Sequence, residues 1–207
     1  MNLKHYFLKG EFMITTLTYS PTHTFFLKGT TSGVFIDTGY AGTLPAFYKD
    51  IKAQGIKVSD ITYVLCTHFH PDHCGLVSSL MEQGAGLILM ESQVDYVHFP
   101  DPIFAREPHL QYKPIDGCKA KVVSFEDSRT FLETLGIHGS IISTPSHSPD
   151  SVSVILDDGT AVVGDLEPLP YLEAYSDNEA LKADWEKVLS YSPKRILYAH
   201  ANEQILP

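Results

Sequence analysis

The sequence predicts an α/β fold, of the α+β kind at its strand-rich start, on three observations. Short strand-like runs cut by turn residues fill residues 12–37, and strand and helix patterns alternate from residue 43 onward. A charge-free, β-branched run from Ile61 to Cys66 has the composition of a central strand. Periodicity gives this alternation of elements and no arrangement of layers.

In chain order, Phe12 to Tyr19, Thr24 to Leu27 and Gly33 to Asp37 read as an antiparallel meander, being rich in β-branched and aromatic residues. Thr43 to Gln54 reads as a helix with Leu44, Phe47, Tyr48 and Ile51 on one face and Gly55 placed to end it. After the central strand, His73 to Gln83 has helical spacing at Leu76, Val77, Leu80 and Met81; a strand at Leu87 to Met90 and a short helix from Ser92 to Val97 follow. His98 to Cys118 holds Pro100, Pro102, Pro108 and Pro114 and is expected to be an irregular loop. Strands are expected at Lys121 to Ser124, Ser140 to Ser143, Val152 to Leu156 and Ala161 to Val163, with Asp157-Asp158-Gly159 as a hairpin turn. Asn178 to Ser190 is the last helix, and the strand Arg195 to Tyr198 leads to His200.

The 207 residues, 43% hydrophobic and 19% charged, suffice for one sizeable core, and without repeats or linkers residues 1–207 read as a single domain. A formal net charge of −10 argues against nucleic-acid and anionic-membrane partners, which need a basic surface. No apolar run approaches the ~18 residues that span a bilayer. Cys66, Cys74 and Cys118 have no disulfide framework spacing, and the N-terminus lacks a signal-peptide pattern, so a cytoplasmic protein acting on a small-molecule substrate is expected.

The densest chemistry is His68-Phe69-His70-Pro71-Asp72-His73, directly after the central strand. In an extended strand end residues i and i+2 point the same way, so His68 and His70 can converge on one ion. Pro71 turns the chain and aims Asp72 and His73 at a second point nearby. Imidazole suits zinc and carboxylate supplies a charged oxygen, so the set reads as ligands for adjacent divalent metals. An isolated histidine such as His23, His98, His109 or His138 is ordinarily a core or surface residue, whereas this cluster has no packing rationale. One loop cannot enclose two ions, so distant ligands are required, and His147, Asp165 and His200 each stand just past a predicted strand end.

Through Thr67-His68-Phe69-His70-Pro71-Asp72-His73-Cys74-Gly75, then Thr144-Pro145-Ser146-His147, Gly164-Asp165 and His200, the sequence resembles the metallo-β-lactamase fold superfamily of hydrolases. The resemblance implies a four-layer αββα sandwich, two mixed β-sheets face to face with helices outside. It implies that His68, His70 and His147 hold one metal, that Asp72, His73 and His200 hold the other, and that Asp165 bridges them. Asp37 matches an aspartate that accepts a hydrogen bond behind the ligands. The chain departs from the family at Ser146 and Asp150, where glycine is usual, and at Ala199-His200-Ala201, where Gly-His-Gly is common; these departures bear on loop shape and substrate choice. Family members that are redox di-iron proteins carry a glutamate where this chain has His70.

The function expected is a binuclear-metal-dependent hydrolase that activates a bridging water to cleave an ester, thioester, lactone or related bond. Its two divalent ions are zinc by donor type, with iron or manganese as alternatives, and Asp72 orients the nucleophile while also binding metal. A metal-binding regulatory protein or a mononuclear-iron oxygenase of the same fold is the competing expectation. Asp37-Thr38-Gly39 also matches the aspartic-protease triplet, but it occurs once and leaves the metal set unexplained. Cys74 reads as a small buried residue, since no free base remains to activate it. Glu167 and Tyr171 are candidate substrate contacts, while Pro168 stands where homoserine-lactone lactonases of the superfamily carry a tyrosine. The stretches 98–118 and 166–176, with Phe99, Phe104, Tyr112, Tyr171, Leu172 and Tyr175, are expected to read substrate shape, though a homodimer interface would use the same residues.

Overall fold

The computed structural model describes residues 13–207; Phe12, the expected start of the first strand, and the stretch read for a leader lie outside them. Three strands, β1 (Met13–Leu17), β2 (Thr24–Lys28) and β3 (Gly33–Ile36), form the expected antiparallel meander. Helix α1 (Leu44–Ala53) buries Phe47 and Ile51, and Gly55 ends it at φ +73°, a conformation that favours glycine. The chain then adds β4 (Tyr63–Leu65), α2 (Pro71–Cys74), α3 (Val77–Glu82), β5 (Gly86–Met90), α4 (Asp101–Phe104) and β6 (Lys121–Val123). β3, β4, β5 and β6 are parallel neighbours, so the first sheet has the order β1-β2-β3-β4-β5-β6.

Helix α5 (Ser128–Thr134) leads to β7 (Gly139–Ser143), β8 (Val152–Leu156) and β9 (Thr160–Val162), with the predicted turn at Asp157–Gly159 joining the last two. α6 (Glu179–Leu189), β10 (Arg195–Leu197) and β11 (Gln204–Ile205) complete a second mixed sheet of order β11-β10-β9-β8-β7.

Strand alternation sorts the apolar residues into three layers of core. Phe35, Val64, Leu87 and Leu89 face α1 and α3, where they meet Phe47, Ile51, Val77 and Leu80. Their sequence neighbours Val34, Ile36, Leu65, Ile88 and Met90 face the other sheet and pack on Ile141, Val152, Val154, Val162 and Leu197. On the far side of the second sheet Ile155, Ala161 and Ile196 pack on Leu181, Trp185 and Val188 of α6. The result is the four-layer αββα sandwich. No helix among the described residues is long and apolar enough to cross a membrane.

The structure revises and adds to the expected elements. The helix expected over His73 to Gln83 starts earlier, at Pro71, and breaks at Gly75–Leu76. The break is tertiary in origin: Gly75 N donates to Gly39 O (2.9 Å), Leu76 N donates to Thr38 Oγ1 (3.0 Å), and a Cβ on Gly75 would lie 2.1 Å from Ala41 N. The short helix expected over Ser92 to Val97 is present as a 3₁₀ helix, Glu91–Tyr96. The stretch 98–118 is ordered in part into α4 and 3₁₀ turns at Pro108–Leu110 and Gly117–Lys119, with residues 111–116 irregular as expected; Pro102 and Pro108 occupy first-turn positions, where a missing N–H costs nothing. α5 and β11 were not expected at all.

Phe35 lies at 0% exposure edge-on to Phe47, with centroids 5.3 Å apart, and beside Phe26 at 6.2 Å. Phe35→Ala is expected to cost about 3–5 kcal/mol, from lost transfer energy plus the cavity left under α1. Denaturant melts of the two proteins measure it; a loss below about 1 kcal/mol would show that α1 collapses onto the gap.

Candidate metal centre

All seven residues singled out as ligands converge at the carboxyl ends of strands in both sheets. His68 and His70 follow β4, Asp72 and His73 sit on α2, His147 lies between β7 and β8, Asp165 follows β9 and His200 follows β10. The two sheets can meet this closely because Gly164, at φ +57°, packs on Thr67; a Cβ there would lie 2.6 Å from Thr67 Oγ1.

The donors fall into two groups. His68, His70, His147 and Asp165 form the first, with His70 Nδ1 3.2 Å from His147 Nε2 and Asp165 Oδ2 3.5 Å from His147 Nε2 and 3.8 Å from His68 Nε2. Asp72, His73 and His200 form the second, with Asp72 Oδ2 3.0 Å from His200 Nε2 and 3.6 Å from His73 Nε2. The other oxygen of Asp165, Oδ1, faces this second group at 3.2 Å from His73 Nε2 and 3.3 Å from His200 Nε2. Four donors held tetrahedrally at the usual zinc distances would stand about 3.3 Å apart, close to what is seen. His68 Nε2, His73 Nε2 and Asp165 Oδ1 are buried without a hydrogen-bond partner. Such orphaned atoms are costly unless a cation sits between them, so the residues fit a metal in both groups.

The electrostatics agree. Burial, reinforced by His73, His70 and His147, holds the His68 imidazole well below its ordinary value, which leaves it neutral and able to ligate. Burial also opposes a charge on His73, but Asp37 and Asp165 outweigh it and raise the group to about 10. A hydrogen bond to Asp72 raises His200. Burial would raise Asp72 and Asp165, yet the facing imidazoles bring both below the usual carboxylate range. Asp37 and Asp165 thus favour a proton on His73 that a divalent ion would displace.

Asp37, fully buried at φ +58°, lies behind the ligands. Its carboxylate accepts from Thr67 N (2.7 Å) and Thr67 Oγ1 (2.9 and 3.1 Å) and pairs with His73 Nδ1 at 2.9 Å. A proton fixed on Nδ1 directs Nε2 of His73 toward the centre. No second carboxylate of an aspartic-protease pair is among its partners.

Sequence reasoning missed the residues that hold the ligand loops. Thr22 Oγ1 donates to Asp72 Oδ2 at 3.2 Å. Asp150, noted only as a departure from glycine, accepts from Phe69 N at 2.7 Å, between His68 and His70, and from Ser148 Oγ beside His147. Gln93, at 0% exposure, donates from Nε2 to Cys66 O (2.9 Å) and Asp150 O (3.2 Å), tying the loops of the two sheets together. Ser146 N donates to Asp184 Oδ2 of α6 at 2.7 Å. Asp150 alone had a sequence signal, a charged residue where the family keeps glycine. Cys74 is buried as expected, with its thiol donating to His70 O (3.2 Å), and burial pushes that thiol well above its ordinary value.

A cavity of about 370 Å³ opens beside His147, Asp165 and His200, and Glu167 and Tyr171 line it. Phe99 stands on the opposite flank, its ring 5.2 Å from that of His70. Phe104 and Tyr112 stack on each other at 4.2 Å, with Phe104 only 2% exposed, so this pair serves packing.

Asp150→Ala frees the Phe69 amide and loosens His68 and His70 against His147. Binding of an ion by the first group is expected to weaken about 10–100-fold, with Asp150→Asn close to the parent. Competition against a chromophoric chelator measures this, and equal affinities for all three proteins would remove Asp150 from the assembly of the site.

The model of the metallo-beta-lactamase superfamily matches residues 17–200. A Drosophila melanogaster protein, "Beta-lactamase-like protein 2 homolog", is 26% identical over 190 residues, which are 91% of this chain but only 61% of that protein's length. A metallo-beta-lactamase family protein from Thermus thermophilus superposes with a TM-score of 0.69 at 18% identity, covering 96% of this chain and 75% of the other. A putative metallo-beta-lactamase from Thermotoga maritima gives 0.68 at 20% identity, covering 95% and 99%. With the family model spanning residues 17–200 and the same layered architecture in those structures, this chain belongs to the metallo-beta-lactamase superfamily.

Proposed function

We propose that the chain is a binuclear-metal-dependent hydrolase of small molecules, with zinc as the ion best matched by five imidazoles and two carboxylates. The observation that carries this reading is the split of Asp165: one oxygen faces the first donor group and the other faces the second. His68, His70 and His147 would hold one ion with Asp165 Oδ2, and Asp72, His73 and His200 would hold the other with Asp165 Oδ1. Two divalent ions at such spacing lower the pKa of a water toward ~7 and polarise a carbonyl or phosphoryl group.

The chain's own residues supply the rest. Thr22 Oγ1 fixes Asp72 through Oδ2. That leaves Oδ1 of a side chain 37% exposed to accept a proton from the attacking water. His70, His73 and His147 are braced by Asp150, Asp37 and Asp184 through the contacts above, so the donors need little reorganisation when substrate enters. Glu167 and Tyr171, on the cavity wall, would contact the part of the substrate that does not react.

The test is metal analysis of the purified protein, followed by assay on ester, thioester, lactone, phosphodiester and β-lactam substrates beside a chelator-treated control. Two ions per chain and chelator-sensitive turnover are expected. Asp165→Ala is expected to drop the metal content below two and turnover more than about a hundredfold. Two ions without turnover on any substrate would support a metal-binding regulator, and stoichiometric iron alone would support the oxygenase; either result would sink the hydrolase.

A further inference from the structure

A second cavity of about 540 Å³ shares Tyr171 and His200 with the one beside the ligands and reaches His23 and Glu203, so the two stand as an inner and an outer lobe. Each lobe therefore has one glutamate on its wall, Glu167 inside and Glu203 outside, and Tyr171, 57% exposed, lines both. No lysine or arginine lines either lobe among the described residues. Glu167 makes no ion pair with a described residue, and Glu203 has only a 3.9 Å contact with Arg195.

This wall is built in advance of any ligand. The Glu167 carbonyl accepts from Nε1 of the fully buried Trp185 at 2.9 Å, and Leu169 N donates to Tyr198 Oη at 3.2 Å. Tyr171 N closes a turn onto Pro168 O at 2.8 Å. The segment that carries Glu167 and Tyr171 is thus pinned at several points to α6 and the end of β10.

An anionic tail placed here would meet a carboxylate in each lobe and no compensating cation. Screened by water and salt, each carboxylate is expected to weaken an anionic tail about twofold. A quaternary or primary ammonium would gain the same energy and could also rest on the Tyr171 ring. The ions at the inner end pull in the opposite sense, but Asp72, Asp165 and a bound anion cancel most of their charge. The apolar wall, with Leu166, Pro168 and Tyr198, favours a hydrocarbon body.

Resting on the hydrolase reading for the position of the reacting bond, we propose that this cleft takes substrates whose non-reacting part is apolar and either neutral or cationic. It rejects those bearing a carboxylate, sulfonate or phosphate there, and Glu167 sets that sign.

Three thiols of matched length test it, because a thiolate binds zinc without needing turnover. They are 2-mercaptoethyltrimethylammonium, its carbon isostere 3,3-dimethylbutane-1-thiol, and 2-mercaptoethanesulfonate. Calorimetry on the zinc-loaded full chain is expected to rank cation at or above neutral and neutral above sulfonate, with cation over sulfonate by about tenfold. Glu167→Gln is expected to cut that ratio about threefold and Glu167→Lys to bring it close to one; the near-isosteric Gln variant decides the matter if the Lys variant fails to fold. A flat or reversed ranking in the parent protein, or a ratio unmoved by Glu167→Gln, overturns the proposal. Hydrolysis of the acetyl thioesters of the same thiols separates the two claims. Thiol ranking without turnover keeps the cleft assignment and removes the hydrolase, whereas turnover that favours the sulfonate ester does the reverse.

Discussion

The structure turns on the carboxylate of Asp37. A carboxylate at 0% exposure is tolerable only when nearly every lone pair is used, and this one takes the Thr67 amide, the Thr67 hydroxyl and the His73 ring. It reaches them from a backbone held at φ +58°, a sparsely populated conformation for a residue with a Cβ. The strain is sustained because Asp37 N donates to Leu65 O and Thr38 N to His73 O, which locks the end of β3 onto the strand and helix that bear the first ligands. Thr67, gripped from this side, is touched from the other by Gly164, the residue before Asp165. One buried anion thereby sets where the loops of both sheets meet.

From that point the bracing spreads through long-range hydrogen bonds to backbone. Asp150 and Gln93 hold the His68–His70 segment against the His147 loop, and Asp184 reaches up from α6 to the amide before His147. The next residue of α6, Trp185, anchors Glu167. Ligand loops and substrate wall therefore share a support on the second sheet, while the flank bearing Phe99 hangs from the first. Either flank can change in sequence without moving the donors, consistent with a fold that hosts many chemistries through its loops.

Much of this was legible in the sequence. Each ligand is a polar residue of the right chemical type just past an apolar strand, a local pattern that survives reading one residue at a time, and the element order followed from periods of two and 3.6. The stacking of two sheets did not follow from periodicity; it required the resemblance carried by the histidine-rich motif. What stayed hidden is what depends on contacts distant in sequence. The break at Gly75 comes from the approach of residues 39–41, and the roles of Thr22, Gln93 and Asp184 come from hydrogen bonds spanning 27 to 57 positions. First-turn prolines of short helices look the same in sequence as loop prolines, so 98–118 read as irregular, and α5, at seven residues, is too short for its period to stand out.

The division of the donors between the two sheets has a consequence for how the molecule comes together. His68 to His73 belong to the first half of the chain, and His147, Asp165 and His200 to the second, so neither half contains a complete donor group. Each group closes only after the sheets have docked across their shared apolar layer, a non-local event that is slow to occur. An ion bound by these groups would be captured only after that docking, and its binding free energy would be added to the association of the two halves. Its supply would then govern how long the folded molecule lasts.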